Sequence, residues 1–173
     1  MEIKLSKFSP KDLPAIHNFY TNCVEWKLWD APWEDWSYNE EYELSKRLER
    51  TNHLPCFEYE IFYNDEHIGW VSAYYMTDDY RWNDLEKTDK IAIGIVIPDQ
   101  KYRHLGIGKQ VYKEYLAYFK SLGYKEIYTQ TWSGNIPMIN LAKSLGFEEV
   151  NRFNDLRTVR SKKYDALTFK IIL

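Results

Sequence analysis

The order of the predicted elements indicates a mixed α/β (α+β) fold, in which helices flank one central mixed sheet. Residues 57–76 have the pattern of two strands joined by a turn, and residues 91–122 have the pattern of a strand, a glycine loop and a helix. A further strand, a helix and two more strands follow. At 173 residues, without repeats, low-complexity tracts or linkers, the chain is expected to form one domain over residues 1–173.

The first fifty residues predict a strand and two helices around an irregular segment. Residues 3–8 suggest the strand, and Ser9 with Pro10 is typical of a helix start. Apolar residues then recur at helical spacing: Leu13, Ile16, Phe19 and Tyr20. Residues 25–36 follow no single period, which indicates an ordered loop or a broken helix. Ser37 and Glu40 form a capping-box pattern that predicts a helix ending near residue 50.

The remaining elements are predicted from apolar runs and their breakers. The predicted strands are 57–63, 68–76, 91–97, 125–132, a strand from Phe147 toward Arg152, and 166–172; the turn between the first two is 64–67, and the helices are 108–122 and 135–145, ended by Gly123 and Gly146. The strand 91–97 holds five β-branched residues and no charged residue, so we expect it to be buried on both faces.

The loop after this strand has the features of an anion site. A helix that starts near Gly108 leaves its first amide groups unpaired at the positive end of its dipole. Gly106 and Gly108 allow a phosphate to approach the backbone, and Arg103 and Lys109 add positive charge. We therefore predict that residues 103–109 bind a diphosphate.

The glycine spacing argues against two common phosphate loops. A Walker loop requires glycine at position 103 and Ser or Thr at position 110, where this chain has Arg103 and Gln110. A dinucleotide fingerprint requires a third glycine at position 111, which is Val111, and it normally occupies the first strand-to-helix turn of a domain. A nucleotide enzyme thus remains only as an alternative.

The pattern Arg103-x-x-Gly106-x-Gly108 after a buried strand resembles the coenzyme A loop of the GNAT superfamily of N-acyltransferases. The resemblance extends to a following strand, to Asn135 at the start of a helix, and to Gly146-Phe147 after it, and it covers roughly residues 68–150. It implies a mixed, mostly antiparallel central sheet flanked by helices. It also implies acetyl-CoA as the cosubstrate and direct transfer of the acetyl group to an amine.

The resemblance further implies which residues contact the coenzyme. The expected contacts are the backbone of Ile95 and Ile97, the diphosphate loop of Arg103, His104, Leu105, Gly106, Ile107, Gly108 and Lys109, and the side chain of Asn135. Many family members carry a tyrosine seven residues after the asparagine that protonates the departing thiolate, but here that position is Ala142. The catalytic acid and base are therefore left unassigned, with Tyr128, Thr131 and Ser144 as alternative hydroxyl groups.

The segment 25–43 is the candidate acceptor site, because it combines seven acidic residues and one basic residue with six Trp and Tyr residues. Carboxylates and aromatic faces together favour a cation. We expect a small polycationic amine here, such as an aminoglycoside-like antibiotic, a polyamine or a basic peptide terminus. The expected contacts are Trp26, Trp29, Asp30, Trp33 and Glu34.

Composition narrows the class of protein. Residues 1–100 carry a net charge of −10 and residues 101–173 one of +7, and the whole chain carries −3, which disfavours nucleic acid as a partner. No apolar run predicts a membrane segment, and no His, Cys, Asp or Glu spacing predicts a metal site. We expect a cytoplasmic monomer or homodimer with two reduced cysteines. A catalytically silent acyl-CoA binding or sensing domain is the alternative that Ala142 raises.

Overall fold

A computed structural model describes residues 2–173 and shows one seven-stranded mixed sheet flanked by four α-helices. The elements in chain order are β1 (Ile3–Ser6), α1 (Leu13–Thr21), α2 (Glu40–Asn52), β2 (Glu58–Tyr63), β3 (Glu66–Met76), β4 (Lys90–Val96), α3 (Ile107–Ser121), β5 (Glu126–Trp132), α4 (Ile136–Ser144), β6 (Glu148–Val159) and β7 (Lys162–Ile172). The strand order is β1-β2-β3-β4-β5-β7-β6, and every neighbouring pair is antiparallel except β4 and β5. The predicted fold class is confirmed.

Two apolar layers hold the helices on opposite faces of the sheet. The larger layer contains the predicted stripe of α3, where Val111, Tyr112, Tyr115 and Phe119 are fully buried against strand residues. The smaller layer joins α1, through Ile16 and Phe19, to aromatic side chains of the segment that follows it. Helix α3 therefore packs on one face and α1 on the other, and the amino end of α3 lies next to the end of β4.

The predicted cap of α2 is wrong by two residues. Asn39, not Ser37, precedes the helix, and its Oδ1 accepts a hydrogen bond of 2.8 Å from the amide of Tyr42. The amide of Ser37 instead donates to the carboxylate of Asp35. Because Asn is as good an N-cap as Ser, the local pattern does not distinguish the two starts.

Both hairpins are tighter than predicted. Between β2 and β3 only Asn64 and Asp65 form the turn, with φ of 47° and 65°, because a two-residue hairpin needs positive φ at both positions. Strands β6 and β7 extend well beyond the predicted limits at 152 and 166, and they turn at Arg160 and Ser161. The added part is polar and carries a bulge between Phe153 and Arg157, so it lacks an apolar alternation that a sequence pattern detects.

Candidate functional site

The sheet splits between its two parallel strands and forms a cleft of about 670 Å³. Strands β4 and β5 share one registered pair, Ala92 with Tyr128, whereas β4 stays paired with β3 as far as Val96. Beyond the split, the carbonyl of Ile93 accepts hydrogen bonds from the hydroxyls of Thr129 at 2.8 Å and Tyr112 at 3.2 Å. Hydroxyl groups thus replace the missing strand partner.

One edge of β4 faces this cleft. Strand backbone groups alternate in direction, so the amide and carbonyl of Ile95 point to the same side as the carbonyl of Ile93. Gly94 and Ile95 line the cleft and are only half-buried, which departs from the expectation of a strand buried on both faces. The carbonyl of Ile97 is already bonded to the side chain of Arg103 at 3.0 Å. Ile95 is therefore the residue of β4 that presents backbone groups to a ligand.

The loop before α3 presents a row of open amides. Gly106 caps the helix with φ of 80°, and His104 also has a positive φ, of 61°. Within residues 2–173, the amides of residues 104–109 donate to no protein acceptor, and the first amide bonded back to the loop is that of Gln110, which donates to Gly106. Six of the seven amides in the predicted cradle are therefore free to donate to a ligand.

The side chains of this loop point in different directions. Ile107 is 1% exposed and packs in the core, whereas Leu105 is exposed. Lys109 is exposed and forms no ion pair within the described part of the chain. A Cβ added at Gly108 meets Leu141 only at 3.6 Å, an ordinary contact, so the glycine is not required for folding at that point. Its lack of a side chain leaves the cleft open beside the free amides.

Arg103 is not available to a phosphate in this conformation. Its Nε donates to Ile97 O at 3.0 Å, its Nη2 donates to Pro98 O at 3.1 Å, and its Nη1 pairs with the carboxylate of Glu25. Its amide donates to the carbonyl of Gln100. Arg103 instead connects the phosphate loop to the aromatic segment, a contact across 78 positions that sequence spacing does not reveal.

Asn135 connects the other wall of the cleft to the same segment. Its Oδ1 caps α4 by accepting from the amide of Met138 at 3.2 Å, and its Nδ2 donates to Trp29 O at 3.1 Å. The indole of Trp132 donates to the same carbonyl at 2.7 Å. Asn135 lines the cleft, but its polar atoms serve the fold, so its expected contact with pantetheine stays a prediction.

The predicted replacements for the missing tyrosine are separated by the structure. Ala142 is fully buried on α4. Thr131 and Ser144 line the cleft, and the hydroxyl of Ser144 donates to Leu141 O at 2.9 Å. The hydroxyl of Tyr128 donates to Glu126 instead, and Tyr128 is not among the cleft residues. Of the three predicted hydroxyl groups, that of Thr131 is the one without a hydrogen-bond partner within residues 2–173.

The predicted acceptor residues also divide into two groups. Trp26, Trp29 and Asp30 line the cleft, although Trp26 is 2% exposed and mainly a core residue. Trp33 packs edge-on against Trp132 with ring centroids 6.3 Å apart, and Glu34 is exposed. The structure thus brings three of the five predicted residues to the cleft.

Asp30 is the carboxylate of the cleft with the most unusual environment. Burial raises its pKa from 3.8 to about 6. Within residues 2–173 its carboxylate has no hydrogen-bond or ion-pair partner, and it lines the cleft. Burial chiefly, with a smaller contribution from the charge of Asp30, raises the pKa values of Tyr74 and Tyr112. Asp30 therefore lies within electrostatic range of both tyrosine hydroxyl groups.

The rest of the acidic segment is used elsewhere. Glu25 lines the cleft, but its carboxylate accepts from both Arg103 and the indole of Trp29. Glu43 is buried in an ion network around Arg47. The remaining acids of the segment are exposed. The acidic segment, whose composition predicted a polycationic acceptor, therefore contributes one unpaired carboxylate to the cleft.

The polar residues at the split were not singled out by sequence analysis. Thr129 and Tyr112 bond the free carbonyl of β4, and Gln130 lines the cleft and bonds the hydroxyl of Tyr74 at 2.9 Å. The one available signal is the run of polar side chains Thr129, Gln130 and Thr131 within an inner strand.

No helix within residues 2–173 is long and apolar enough to cross a membrane. In the same range, no group of three or more His, Cys, Asp or Glu side chains is placed to hold a metal ion.

Comparison with known proteins supports the predicted fold. The model of the Acetyltransferase (GNAT) family matches residues 16–147. No curated protein matches the sequence at a significant level. Many solved structures are similar to the chain, among them three proteins at 16 to 19% identity.

These are a Brucella melitensis ribosomal-protein-alanine N-acetyltransferase (19% identity, 100% of both chains covered, TM-score 0.75), the Salmonella typhimurium protein yncA with acetyl-CoA (16%, 99% of this chain and 94% of that one, 0.76), and a Vibrio cholerae spermidine N-acetyltransferase with CoA and spermine (17%, 98% and 95%, 0.74). At this level of identity they show a shared fold.

Proposed function

Because the chain belongs to the GNAT acetyltransferase family, as its coenzyme A loop indicated, we propose that it transfers an acetyl group from acetyl-CoA to the primary amine of a small acceptor. One observation carries the proposal. Residues 104–109 have free amides, and all of them except Leu105 line the cleft between β4 and β5, which Ile95 and Asp30 also line. A diphosphate site, an extended binding edge and a base thus share one cavity.

The residues present fit acetyl-CoA. Six consecutive amides at a helix start provide donors for a diphosphate, and Lys109 adds a positive charge beside them. The open edge of β4 at Ile95 provides backbone groups for the amide bonds of a pantetheine arm. When bound, acetyl-CoA supplies an activated thioester, whose carbonyl carbon forms a bond with the amine nitrogen as the bond to the CoA sulfur breaks.

Asp30 is the proposed general base. An amine acceptor is mostly protonated at neutral pH and must lose a proton before it attacks. With a pKa of about 6, the Asp30 carboxylate is ionised at pH 7, yet it is a stronger base than an ordinary aspartate. A positioned base contributes about 10²- to 10⁴-fold to the rate.

Ala142 lacks the hydroxyl group that many family members use at this position, and Thr131 lines the cleft with a hydroxyl group that has no hydrogen-bond partner within residues 2–173. A thiol with a pKa near ~8.5 leaves tolerably as the thiolate. The proposal therefore needs no strong acid, and the absence of a tyrosine at position 142 lowers the expected rate rather than excluding the reaction.

The geometry narrows the predicted acceptor. Asp30 provides one site for an ammonium group, next to the aromatic ring of Trp29. A polycation would need further unpaired carboxylates, and the other acids of the segment are paired or lie on the outer surface. We therefore propose an acceptor that presents a single amine to the cleft.

The test is release of the CoA thiol from acetyl-CoA by the purified protein, measured with and without a panel of amines. We expect release that depends on the amine and falls at least a hundredfold in Asp30→Asn. Binding of CoA without amine-dependent release would favour the silent binding domain. Displacement of CoA by equimolar ATP or NAD would favour the nucleotide enzyme.

A further inference from the structure

Arg157 lies on the sheet face that carries the acceptor side of the cleft. It belongs to the part of β6 beyond the predicted strand and pairs in register with Tyr164 of β7. Side chains directly opposite each other share a face, and so do those two residues apart on one strand. Tyr164 therefore shares its face with Thr168, whose hydroxyl accepts from Gln130 Nε2 at 2.9 Å. Arg157 is on the same face as this cleft residue.

The guanidinium of Arg157 is held in place but has no anion. Its Cζ lies 4.3 Å from the ring centroid of Trp33, which fixes it by cation–π stacking. Arg157 is half-buried, and within residues 2–173 it has no acidic partner and no hydrogen-bond acceptor. Arg152 on the same strand pairs with Glu149 and Asp165. Its donors are therefore free for an anionic ligand.

Asp30 is the matching unpaired charge. It lies three residues before Trp33 in the same segment, so one loop positions both the carboxylate and the platform of the guanidinium. The two groups do not form an ion pair with each other within 4.0 Å. Both charges act on the hydroxyl group of Tyr74. Burial is the main cause of its raised pKa; the charge of Asp30 raises this pKa further, and the charge of Arg157 lowers it. Both charges therefore lie within electrostatic range of the Tyr74 hydroxyl.

We propose that the acceptor is an amino acid, whose amine is held by Asp30 and whose carboxylate is held by Arg157. The inference rests on the proposed function and adds the substrate class. A guanidinium binds a carboxylate through two parallel hydrogen bonds, and stacking on Trp33 orients it for this. The same arginine disfavours polyamines, because their second ammonium group would lie near a like charge. Trp33, which does not line the cleft, thereby acts through Arg157 as a positioning residue.

The experiment compares acceptors that differ in the carboxylate alone. L-leucine is tested against L-leucinamide and 4-aminobutyrate against 4-aminobutyramide, with spermidine as a pure cation. In the wild type we expect kcat/KM for one of the acids to exceed that of its amide by about tenfold or more. Arg157→Gln should abolish this preference and leave the KM for acetyl-CoA unchanged.

Arg81→Gln is the matched control. Arg81 is also stacked on an aromatic ring, that of Phe153 at 4.6 Å, but it pairs with Asp79 at 3.7 Å. This variant should keep the preference of the wild type. Arg157→Lys should keep only part of it, because an ammonium group lacks the two-pronged donor geometry.

The outcomes separate the two proposals. Release with the amides or spermidine as fast as with the acids would overturn the amino acid inference and keep the acetyltransferase. If no amine supports release of the CoA thiol, the proposed acetyltransferase activity is refuted. The role of Arg157 is then tested by binding: the CoA-saturated protein is titrated with each acid and amide, and its tryptophan fluorescence is measured. Tighter binding of an acid than of its amide, lost in Arg157→Gln, supports the inference; equal binding overturns it.

Discussion

Replacing Asp30 with asparagine should make the protein more stable and less active at the same time. The pKa of Asp30 is about 6 in the folded protein and near the ordinary 3.8 in the unfolded chain. Between these two values the folded state binds more protons, so the free energy of unfolding falls as pH rises through this window. Above pH 6 the ionised carboxylate lowers the free energy of unfolding by its full amount, and below pH 3.8 it does not lower it.

The size of this cost follows from the two pKa values. A difference of about 2 corresponds to about 3 kcal/mol at 1.36 kcal/mol per unit, and water in the open cleft reduces it. We therefore expect Asp30→Asn to raise the free energy of unfolding by about 1–3 kcal/mol at pH 8 and to change it little at pH 4. Urea unfolding at pH 4, 6 and 8 measures both.

Activity should change in the opposite direction. The wild-type kcat/KM should rise about tenfold per pH unit below pH 6 and then level off, whereas Asp30→Asn should lose at least a hundredfold at pH 8 and lack that step. Asp35→Asn is the control, because Asp35 is exposed and an asparagine keeps the Oδ1 that accepts from Ser37 at 3.0 Å. If the Asp30→Asn protein is no more stable than the wild type at pH 8, or retains the pH step, the assignment is refuted.

Three further predictions concern the loop before α3, the ion pair of Arg103 with Glu25, and the buried network around Arg47. Gly106→Asp should weaken CoA binding more than tenfold, because it places a negative charge at the free amides. Gly123→Asp, at a similarly positive φ at the other end of α3, should not weaken it, and calorimetry measures both variants. Arg103→Met and Glu25→Gln should each raise the KM for the amine and leave the Kd for CoA within about threefold of the wild type, because both variants break the same ion pair. A tenfold loss of CoA affinity in Arg103→Met alone would mean that Arg103 binds the phosphate. Arg47→Met should lower the free energy of unfolding at pH 7 by about 3–5 kcal/mol, because it leaves three buried glutamates without their shared cation, and urea unfolding detects this.

Local signals in the sequence were sufficient to predict the elements around the proposed cofactor loop. The run 91–97, the glycines at 106 and 108 and the stripe of α3 each depend on neighbouring residues only, and together they predicted the strand, the loop and the helix. The free amides follow from the same local geometry, since a helix start always leaves its first donors unpaired.

The acceptor side depends on contacts between distant residues, and the sequence did not predict it in detail. Nothing local distinguishes Asp30, which is desolvated in the cleft, from Glu34, which is exposed four residues later. The pairing of Arg103 with Glu25 and the stacking of Arg157 on Trp33 span 78 and 124 positions (103 − 25 and 157 − 33). Charge composition indicated that the segment binds a cation, but tertiary contacts decide which carboxylate remains unpaired.

The contacts of the segment 25–30 favour direct transfer over an acetylated enzyme. Glu25 pairs with Arg103 of the loop before α3, and the carbonyl of Trp29 accepts from Asn135 at the start of α4, so the wall proposed to hold the acceptor is also a wall of the proposed coenzyme cleft. An acetyl group therefore has no distance to travel between two separate sites. The cysteines support the same conclusion, because neither lines the cleft within residues 2–173, and the thiol of Cys56 is buried against backbone carbonyls. Without a cysteine in the cleft, the role that we propose for Asp30, taking the proton from the attacking amine, is the one that its raised pKa suits.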